Sequence, residues 1–286
     1  MAEFDLASCL EERKAFIEHH LDRIVPAETE QPCEVSAAMR YGALRGGKRL
    51  RPLMSLMAAE VNGFEPFAVI DAACAIELVH AASLILDDLP SMDNATMRRG
   101  LPCTYVVYGE STAILASMGL IAIAYRLVAE NAERLARPAA PAIALLSSAI
   151  GHEGIVGGQH ADLAVRRTRA TLEQLTEIYT HKAAALFLAA IRIPGNILAI
   201  EPGKLEALET YALNLGLAFQ ITDDLLDADH APEDAGRTTF STHLGVAGTK
   251  KRIDELVANA TAALSVFGAQ AVILKAIAAY VGIRKQ

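Results

Sequence analysis

Two clusters of aspartates interrupt segments that otherwise have the apolar composition of buried helices, and this combination limits what the chain can fold into. The acids are Asp87, Asp88 and Asp93 in the first cluster, and Asp223, Asp224 and Asp227 in the second. An unpaired carboxylate in an apolar interior costs several kcal/mol. The fold must therefore bury the apolar faces of these helices while giving the acids a cation, and we expect bound metal to supply it.

Proline and glycine divide the rest of the chain into segments of helical length and period. The composition is 52% hydrophobic but only 5% aromatic, with no tryptophan, which favours packed helices over sheets. We predict an all-α fold, a large bundle of roughly ten helices with few or no strands. A single domain over residues 1–286 is expected, because this length supplies one large core.

The segment from Cys74 to Asp88 is apolar around most of its circumference, so its polar residues are informative. His80, Ser83 and Asp87 are spaced i, i+3 and i+7 and therefore share one stripe of a helix. A second stripe, spaced i, i+3, i+4 and i+7, consists of Gln220, Asp223, Asp224 and Asp227. Two such stripes can face one cavity, which favours metal binding over a helix cap with solvated charges.

Asp93 does not belong to the first stripe by spacing alone, because on an uninterrupted helix it would point about 120° away from Asp87. Pro90 lacks an amide proton and clashes with the preceding helical turn, so we expect the helix to end or distort there. Residues 89–92 would then form a loop that returns Asp93 toward Asp87. Clustered carboxylates are preferred ligands of Mg²⁺, which also takes water and phosphate oxygens.

Short basic groups offer sites for an anion. Lys48, Arg49 and Arg51 follow a glycine pair and precede a helix start at Pro52, a cluster that suits a phosphate and equally a solvated loop. Arg98 and Arg99 form a second candidate phosphate clamp or, without support, ordinary surface charge.

Two further residues admit both a structural and a functional interpretation. Lys182 opens an apolar run, where it either reaches an anion or extends to solvent. His80 by itself would be a core histidine, and only the stripe that it shares with Asp87 favours a functional role.

The overall charge and the cysteines exclude several classes of protein. A net charge of −8 and the absence of a basic block argue against nucleic-acid binding. Cys9, Cys33, Cys74 and Cys103 lack the spacing of a zinc site and suit free thiols in a reducing compartment. The longest uncharged stretches resemble packed helices, and no apolar signal core is seen. We expect a cytoplasmic protein without a membrane span.

Six motifs in order resemble the trans-isoprenyl diphosphate synthases, closest to the bacterial geranylgeranyl diphosphate synthases. They are GGKRLRP at 46–52, HAASLILDDLPSMD at 80–93, MRRGLP at 97–102, GGQHADL at 157–163, HKAAALF at 181–187 and FQITDDLLD at 219–227. The resemblance implies an all-α homodimer of the isoprenoid synthase type with a central active-site cavity. It also implies two substrates, isopentenyl diphosphate and an allylic diphosphate, and three Mg²⁺ ions, for which Mn²⁺ can substitute.

The same resemblance implies roles for individual residues. Asp87, Asp93 and Asp223 match metal-binding positions, and the other catalytic acids, Asp88, Asp224 and Asp227, would support them. The leaving diphosphate would be neutralised or oriented by Lys182, Arg98, Gln220 and Arg237. Isopentenyl diphosphate would be held by Lys48, Arg51, His80 and Arg99.

Product length is expected to depend on the residues upstream of Asp87. Ala82 and Ser83 begin roughly 6 to 7.5 Å below the metal end, at 1.5 Å per residue, and both are small. Family farnesyl synthases commonly carry an aromatic residue there, so the resemblance favours the C20 product geranylgeranyl diphosphate. A C15 farnesyl diphosphate synthase and a non-catalytic regulatory subunit are the alternatives, ahead of a terpene cyclase or a di-iron bundle.

The chain departs from the common family pattern at three places. Ala183 and Ala184 follow Lys182 where Thr-Gly is common, and Arg237 stands where lysine is expected. The stretch after Asp227 is also short and lacks a Gly-Lys-Asp step. Each change removes or alters a polar contact, so slower catalysis or an altered substrate preference is expected.

Overall fold

The computed structural model describes residues 6–165, 168–230 and 238–283, and most of these residues are helical. The helices of the first half are α1 (Leu6–Ile24), α2 (Cys33–Leu44), α3 (Leu50–Val61), α4 (Ile70–Asp87), α5 (Thr104–Tyr108), α6 (Glu110–Arg134) and α7 (Ala139–Ile150). Those of the second half are α8 (Ile155–Val165), α9 (Leu172–Tyr179), α10 (Ala185–Leu198), α11 (Pro202–His230), α12 (Phe240–Ala263) and α13 (Val272–Ile283). The predicted all-α fold is confirmed.

The remaining elements are short. Within the described ranges, two 3₁₀ segments, Pro66–Val69 and Leu264–Ala271, and one π-helical segment, Thr180–Ala184, adjoin the α-helices. Strands β1 (Met97–Arg98) and β2 (Leu101–Pro102) pair antiparallel, with Met97 opposite Pro102. This small ribbon is the only sheet among the described residues.

The described residues fall into two compact units. The first lies within Met1–Leu56 and Glu65–Ile143, and in it α4 packs against α6, α2 and α1. The second lies within Met57–Phe64 and Ala144–Gln286, and in it α11 packs against α12, α10 and the π-helical segment. The single domain predicted for residues 1–286 stays a prediction.

Helix α4 is buried on most of its sides, as its sequence predicts. From Ile70 to Val79 every side chain is buried, and the more accessible positions come only in its last two turns. Over the described residues, four helical stretches have the length and hydropathy of a membrane span. The one that includes α4 has 78% of its apolar window buried inside the protein, which is the property of a core helix and gives no sign of a span.

A buried carboxylate near the start of α4 joins three helices of the first unit. Asp71 is 6% exposed, His20 Nε2 of α1 lies 2.5 Å from its Oδ1, and Arg134 of α6 donates to its Oδ2. Burial alone raises the pKa of Asp71, but the hydrogen bonds from His20 and Arg134 outweigh it, so the pKa lies below the ordinary value of 3.8.

We expect Asp71→Asn to lower the free energy of unfolding by about 1.5 to 3 kcal/mol at pH 7, because it removes the charge of a buried carboxylate that is hydrogen-bonded to His20 and to the half-exposed Arg134. Since the pKa of Asp71 is depressed in the folded state, the stabilisation is complete above the unfolded pKa of about 4. It is lost as the pH falls through the lower folded value. Urea unfolding at pH 7, 4 and 3 should therefore show the gap between wild type and variant shrinking with acid.

The matched control is Asp22→Asn, which removes the carboxylate of the exposed Arg40–Asp22 pair. An exposed pair contributes at most about 1 kcal/mol, so this change should have a small effect. Equal losses in the two variants would contradict the role given to Asp71.

Candidate active site

The last two turns of α4 carry a partly exposed stripe. His80, Ser83, Leu84 and Asp87 are partly exposed, as is Leu86, whereas Ala81, Ala82 and Ile85 are buried. The hydroxyl of Ser83 donates to the carbonyl of His80 at 2.9 Å. The stripe predicted from spacing is therefore present, and Leu84 adds an apolar side chain to it.

Ala82, the other residue expected to affect product length, faces α6. It is fully buried, and its carbonyl oxygen lies 3.3 Å from the Oγ of the buried Ser117. Ala82 and Ser83 thus occupy different environments although they are neighbours in sequence.

The first acid cluster closes through its backbone. Helix α4 ends at Asp87, and the amide of Asp93 donates to the carbonyl of Asp87 at 2.9 Å. The amide of Asn94, which has a positive φ of 52°, donates to Leu89. The predicted loop after Pro90 is confirmed, and it brings the partly exposed Asp87 and the exposed Asp93 together.

The two adjacent acids of this cluster differ in environment. Asp88 is 3% exposed, and its carboxylate is bound by Arg98 in β1. Arg98 Nε lies 2.8 Å from Oδ1 and 3.0 Å from Oδ2 of Asp88, and Arg98 Nη2 lies 2.6 Å from Oδ1. Burial lowers the pKa of Arg98, but the hydrogen bonds and charge of Asp88 raise it by more. Asp88 therefore holds Arg98 in place, whereas Asp87 is partly exposed.

The second cluster repeats this division of environments. On α11, Asp223 is partly exposed, whereas Asp224 is buried. The hydroxyl of Tyr179 donates to one oxygen of Asp224, and Gln220 Nε2 donates to the other at 3.0 Å. Asp227 belongs to the same helix, and Arg237 lies outside the described residues.

The glycine pair at 46–47 packs against one of the predicted phosphate clamps. Arg99 Nη1 donates to the carbonyl of Gly46 at 2.6 Å. Gly47 has a φ of 134°, and a Cβ there would lie 3.0 Å from the same nitrogen. Glycine is required here both for the backbone conformation and for the approach of the guanidinium.

His80 lies among arginines of the same unit. Burial lowers the pKa of His80 well below 6.5, and the positive charges of Arg51, Arg99, Arg98 and Arg49 lower it further. The imidazole is therefore neutral at neutral pH, with one nitrogen able to donate and the other to accept. A group of cations around a neutral polar ring suits an anionic ligand.

Lys182 belongs to the π-helical segment, and its ammonium contacts an acid that the sequence interpretation left without a role. Lys182 Nζ lies 2.7 Å from Oδ2 of the buried Asp162 on α8. A Cβ on Gly158 would collide with the Lys182 backbone, so glycine is what lets α8 approach. π-Helical turns occur frequently at functional sites, because they re-aim side chains.

Gln159, next to Gly158, is 8% exposed, and neither polar atom of its amide has a hydrogen-bond partner among the residues that the structure describes. Gln159, Asp162 and Tyr179 are residues of the site for which no role was predicted. The motif GGQHADL contained the first two, and the spacing of Gly158 and Asp162, four residues apart, was the available signal.

The donor set fits magnesium bound together with a phosphate ligand. Among the described residues no group of three or more His, Cys, Asp or Glu side chains is arranged to hold a metal alone. Mg²⁺ does not need such a group, since it commonly uses one or two carboxylates and completes its shell with water and phosphate. Asp87 and Asp93 of the first unit carry carboxylates of this kind, and so, separately, does Asp223 of the second unit.

Comparison with known proteins gives a consistent set of relatives. Residues 32–241 match the family model described as polyprenyl synthetase. The chain is 40% identical over 261 residues to a geranylgeranyl diphosphate synthase of Pseudescherichia vulneris, covering 88% of this chain and 84% of that one. It is 36% identical over 265 residues to a farnesyl diphosphate synthase of Geobacillus stearothermophilus, covering 88% and 89%. The crystal structure of an FPP/GFPP synthase from Zymomonas mobilis superimposes with a TM-score of 0.88 at 32% identity, covering 97% of this chain and 98% of that one.

Proposed function

The chain belongs to the polyprenyl synthetase family, and we propose that it condenses isopentenyl diphosphate head-to-tail with an allylic diphosphate to make geranylgeranyl diphosphate. Family membership makes it an isoprenyl diphosphate synthase, a prenyltransferase of the class that makes farnesyl or geranylgeranyl diphosphate. The observation that best supports this reaction is the partly exposed stripe on α4. His80 and Asp87 are seven residues, about 10 Å, apart on one face of α4. Arginines surround the first residue, and Asp93 lies beside the second. Two diphosphates bound at these points would lie side by side.

The accessible acids are proposed as the metal ligands. Asp87, Asp93 and Asp223 would hold Mg²⁺, three ions in all with Mn²⁺ as a substitute, and Asp88, Asp224 and Asp227 would support them. When bound, the ions supply Lewis-acid stabilisation of the charge on the departing diphosphate. Asp88 acts through Arg98, and Asp224 acts through Tyr179 and Gln220.

The basic residues divide between the two substrates. Arg98, Lys182, Gln220 and Arg237 serve the allylic diphosphate, and Lys48, Arg51, His80 and Arg99 serve isopentenyl diphosphate. The carbon–oxygen bond of the allylic diphosphate breaks, and the double bond of isopentenyl diphosphate attacks the resulting cation. A proton then passes to the released diphosphate. Leu84, on the stripe between His80 and Asp87, gives the reacting carbons an apolar neighbour in place of water.

A panel of primers tests this proposal. Purified protein is incubated with labelled isopentenyl diphosphate, Mg²⁺ and C5, C10 or C15 allylic diphosphate, and the products are sized by chromatography. We expect a C20 product from each accepted primer. A C15 end product would replace the geranylgeranyl assignment by the farnesyl one, and no product with any primer would favour a non-catalytic subunit.

Product length should respond to bulk beside the stripe. We expect Ala82→Phe and Ser83→Phe each to shift the main product from C20 toward C15, because either ring begins roughly 6 to 7.5 Å below the metal end. Ala82→Phe also crowds the packed face of α6, so it should lower stability by about 1 to 3 kcal/mol. Ser83→Ala is the matched control and should keep the C20 product. An unchanged product in both Phe variants would mean that other residues limit the product length.

We also propose that the enzyme is a cytoplasmic homodimer. The support for dimerisation is a set of exposed apolar residues on α6, since Ile114, Leu115 and Met118 are 40%, 52% and 62% exposed. Cys33, Cys74 and Cys103 are free thiols, which suits a reducing compartment. Light scattering during gel filtration would give the mass of the particle, and a monomer at micromolar concentration would contradict the proposed homodimer.

A further inference from the structure

Arg49 lies between two residues assigned to isopentenyl diphosphate and yet points away from solvent. Lys48 is exposed and Arg51 is partly exposed, whereas Arg49 is 3% exposed. Its Nη1 lies 2.6 Å from Oε1 of Glu77 on α4, which is itself buried, and its Nη2 donates to the carbonyl of Ala43 at 3.1 Å. One guanidinium thus ties the segment before α3 to α2 and α4.

A contribution to stability does not by itself account for this pair. Removing two charges from water offsets most of their attraction, so apolar residues of equal volume are often as good or better in such places. Arg49 also adopts a left-handed backbone with a φ of 51°, which is unfavourable for arginine by about 1 to 2 kcal/mol. What the pair does provide is a defined geometry, because two nitrogens of one planar guanidinium donate at the same time to Glu77 and to the Ala43 carbonyl.

The residues that this geometry fixes are those of the proposed isopentenyl diphosphate site. Glu77 and His80 are three residues apart and share a face of α4. Arg49 immediately follows Lys48, and its carbonyl accepts from Leu53 at 3.0 Å in the first turn of α3, the turn that carries Arg51. The pair therefore sets the position of the loop and the helix start relative to His80.

We propose that the buried Arg49–Glu77 ion pair is the positioning element of the isopentenyl diphosphate site, holding Lys48 and Arg51 in register with His80. This inference rests on the proposed function. Charge supports it, because the buried Glu77 and the more exposed Glu18, whose Oε1 lies 3.7 Å from Arg49 Nε, compensate the charge of Arg49 within the protein. Burial lowers the pKa of Arg99 and Glu77 raises it, so the carboxylate acts on this group of cations as well.

The test compares Arg49→Lys, Glu77→Gln and the double variant. In Arg49→Lys the positive charge is kept but the planar guanidinium with its several donors is lost. In Glu77→Gln the shape of the side chain is kept but the negative charge is lost. We expect each single change to raise KM for isopentenyl diphosphate about tenfold or more, with kcat at saturation and KM for the allylic diphosphate within about twofold. The double variant should be no worse than the more impaired single variant, because both changes disable one element.

Asp71→Asn provides the control, since it also breaks a buried carboxylate–arginine contact on α4. It should lower the melting temperature without changing KM for isopentenyl diphosphate. If Arg49→Lys and Glu77→Gln behave like this control, the pair is only structural and the inference is wrong. Should Arg49→Lys fail to fold, Glu77→Gln decides by the same readouts.

Arg51→Ala separates this inference from the proposed function. An unchanged KM for isopentenyl diphosphate in Arg51→Ala would overturn the substrate assignment itself, and the inference with it. A raised KM in Arg51→Ala together with normal values in Arg49→Lys and Glu77→Gln would overturn the inference alone.

Discussion

Asp87→Asn and Asp223→Asn should each lower kcat on the order of 10³-fold, the scale of losing one group that stabilises developing charge. Asparagine keeps the size of aspartate and one acceptor oxygen but loses the negative charge that holds a divalent ion. Both side chains are partly exposed, so stability should hardly change. Single-turnover rates at saturating Mg²⁺, measured beside thermal unfolding, would separate chemistry from folding.

The same chemical change elsewhere on α4 is the control for this experiment. Asp71→Asn removes a carboxylate that contacts His20 and Arg134 and should leave kcat near the wild-type value. Near-normal turnover in Asp87→Asn or Asp223→Asn would refute the metal-ligand role of that residue.

Removal of divalent ions should abolish turnover reversibly, because the ions are proposed to supply the positive charge that stabilises the departing diphosphate. EDTA treatment followed by gel filtration should leave the helical circular dichroism intact, and added Mg²⁺ or Mn²⁺ should restore the rate. Calorimetry supplies a second readout, since binding of a non-hydrolysable allylic diphosphate analogue should weaken at least tenfold without metal. Full activity in protein shown to be metal-free by elemental analysis would contradict the assignment.

Local spacing and backbone chemistry were sufficient to predict part of the site. The stripe of His80, Ser83 and Asp87 follows from the helical period, which tertiary contacts did not disturb. The loop that returns Asp93 follows from Pro90, whose missing amide proton acts wherever the helix packs. The all-α fold likewise follows from the composition and from the positions of proline and glycine, which depend on no particular contact.

The division of labour within each aspartate pair could not be predicted in this way. Asp88 is buried because Arg98 reaches it from a ribbon ten residues later, and Asp224 is buried because Tyr179 reaches it from another helix. Adjacent residues project about 100° apart on a helix, but spacing alone does not say which of the two directions is buried. The burial of Arg49 was missed for the same reason, because Glu77 lies on another helix.

The π-helical segment at Thr180–Ala184 makes the aim of Lys182 depend on a single extra residue. A π turn accommodates one residue more than an α turn, and each residue advances an α-helix by about 100°. Deleting one residue just before Lys182 would let ordinary helix form with the residues after Ala184 near their present positions, but it would change the directions in which the side chains of the segment itself project. The ammonium could then no longer meet Asp162. Insertions and deletions in this turn should consequently be far less tolerated than point substitutions on its outer surface.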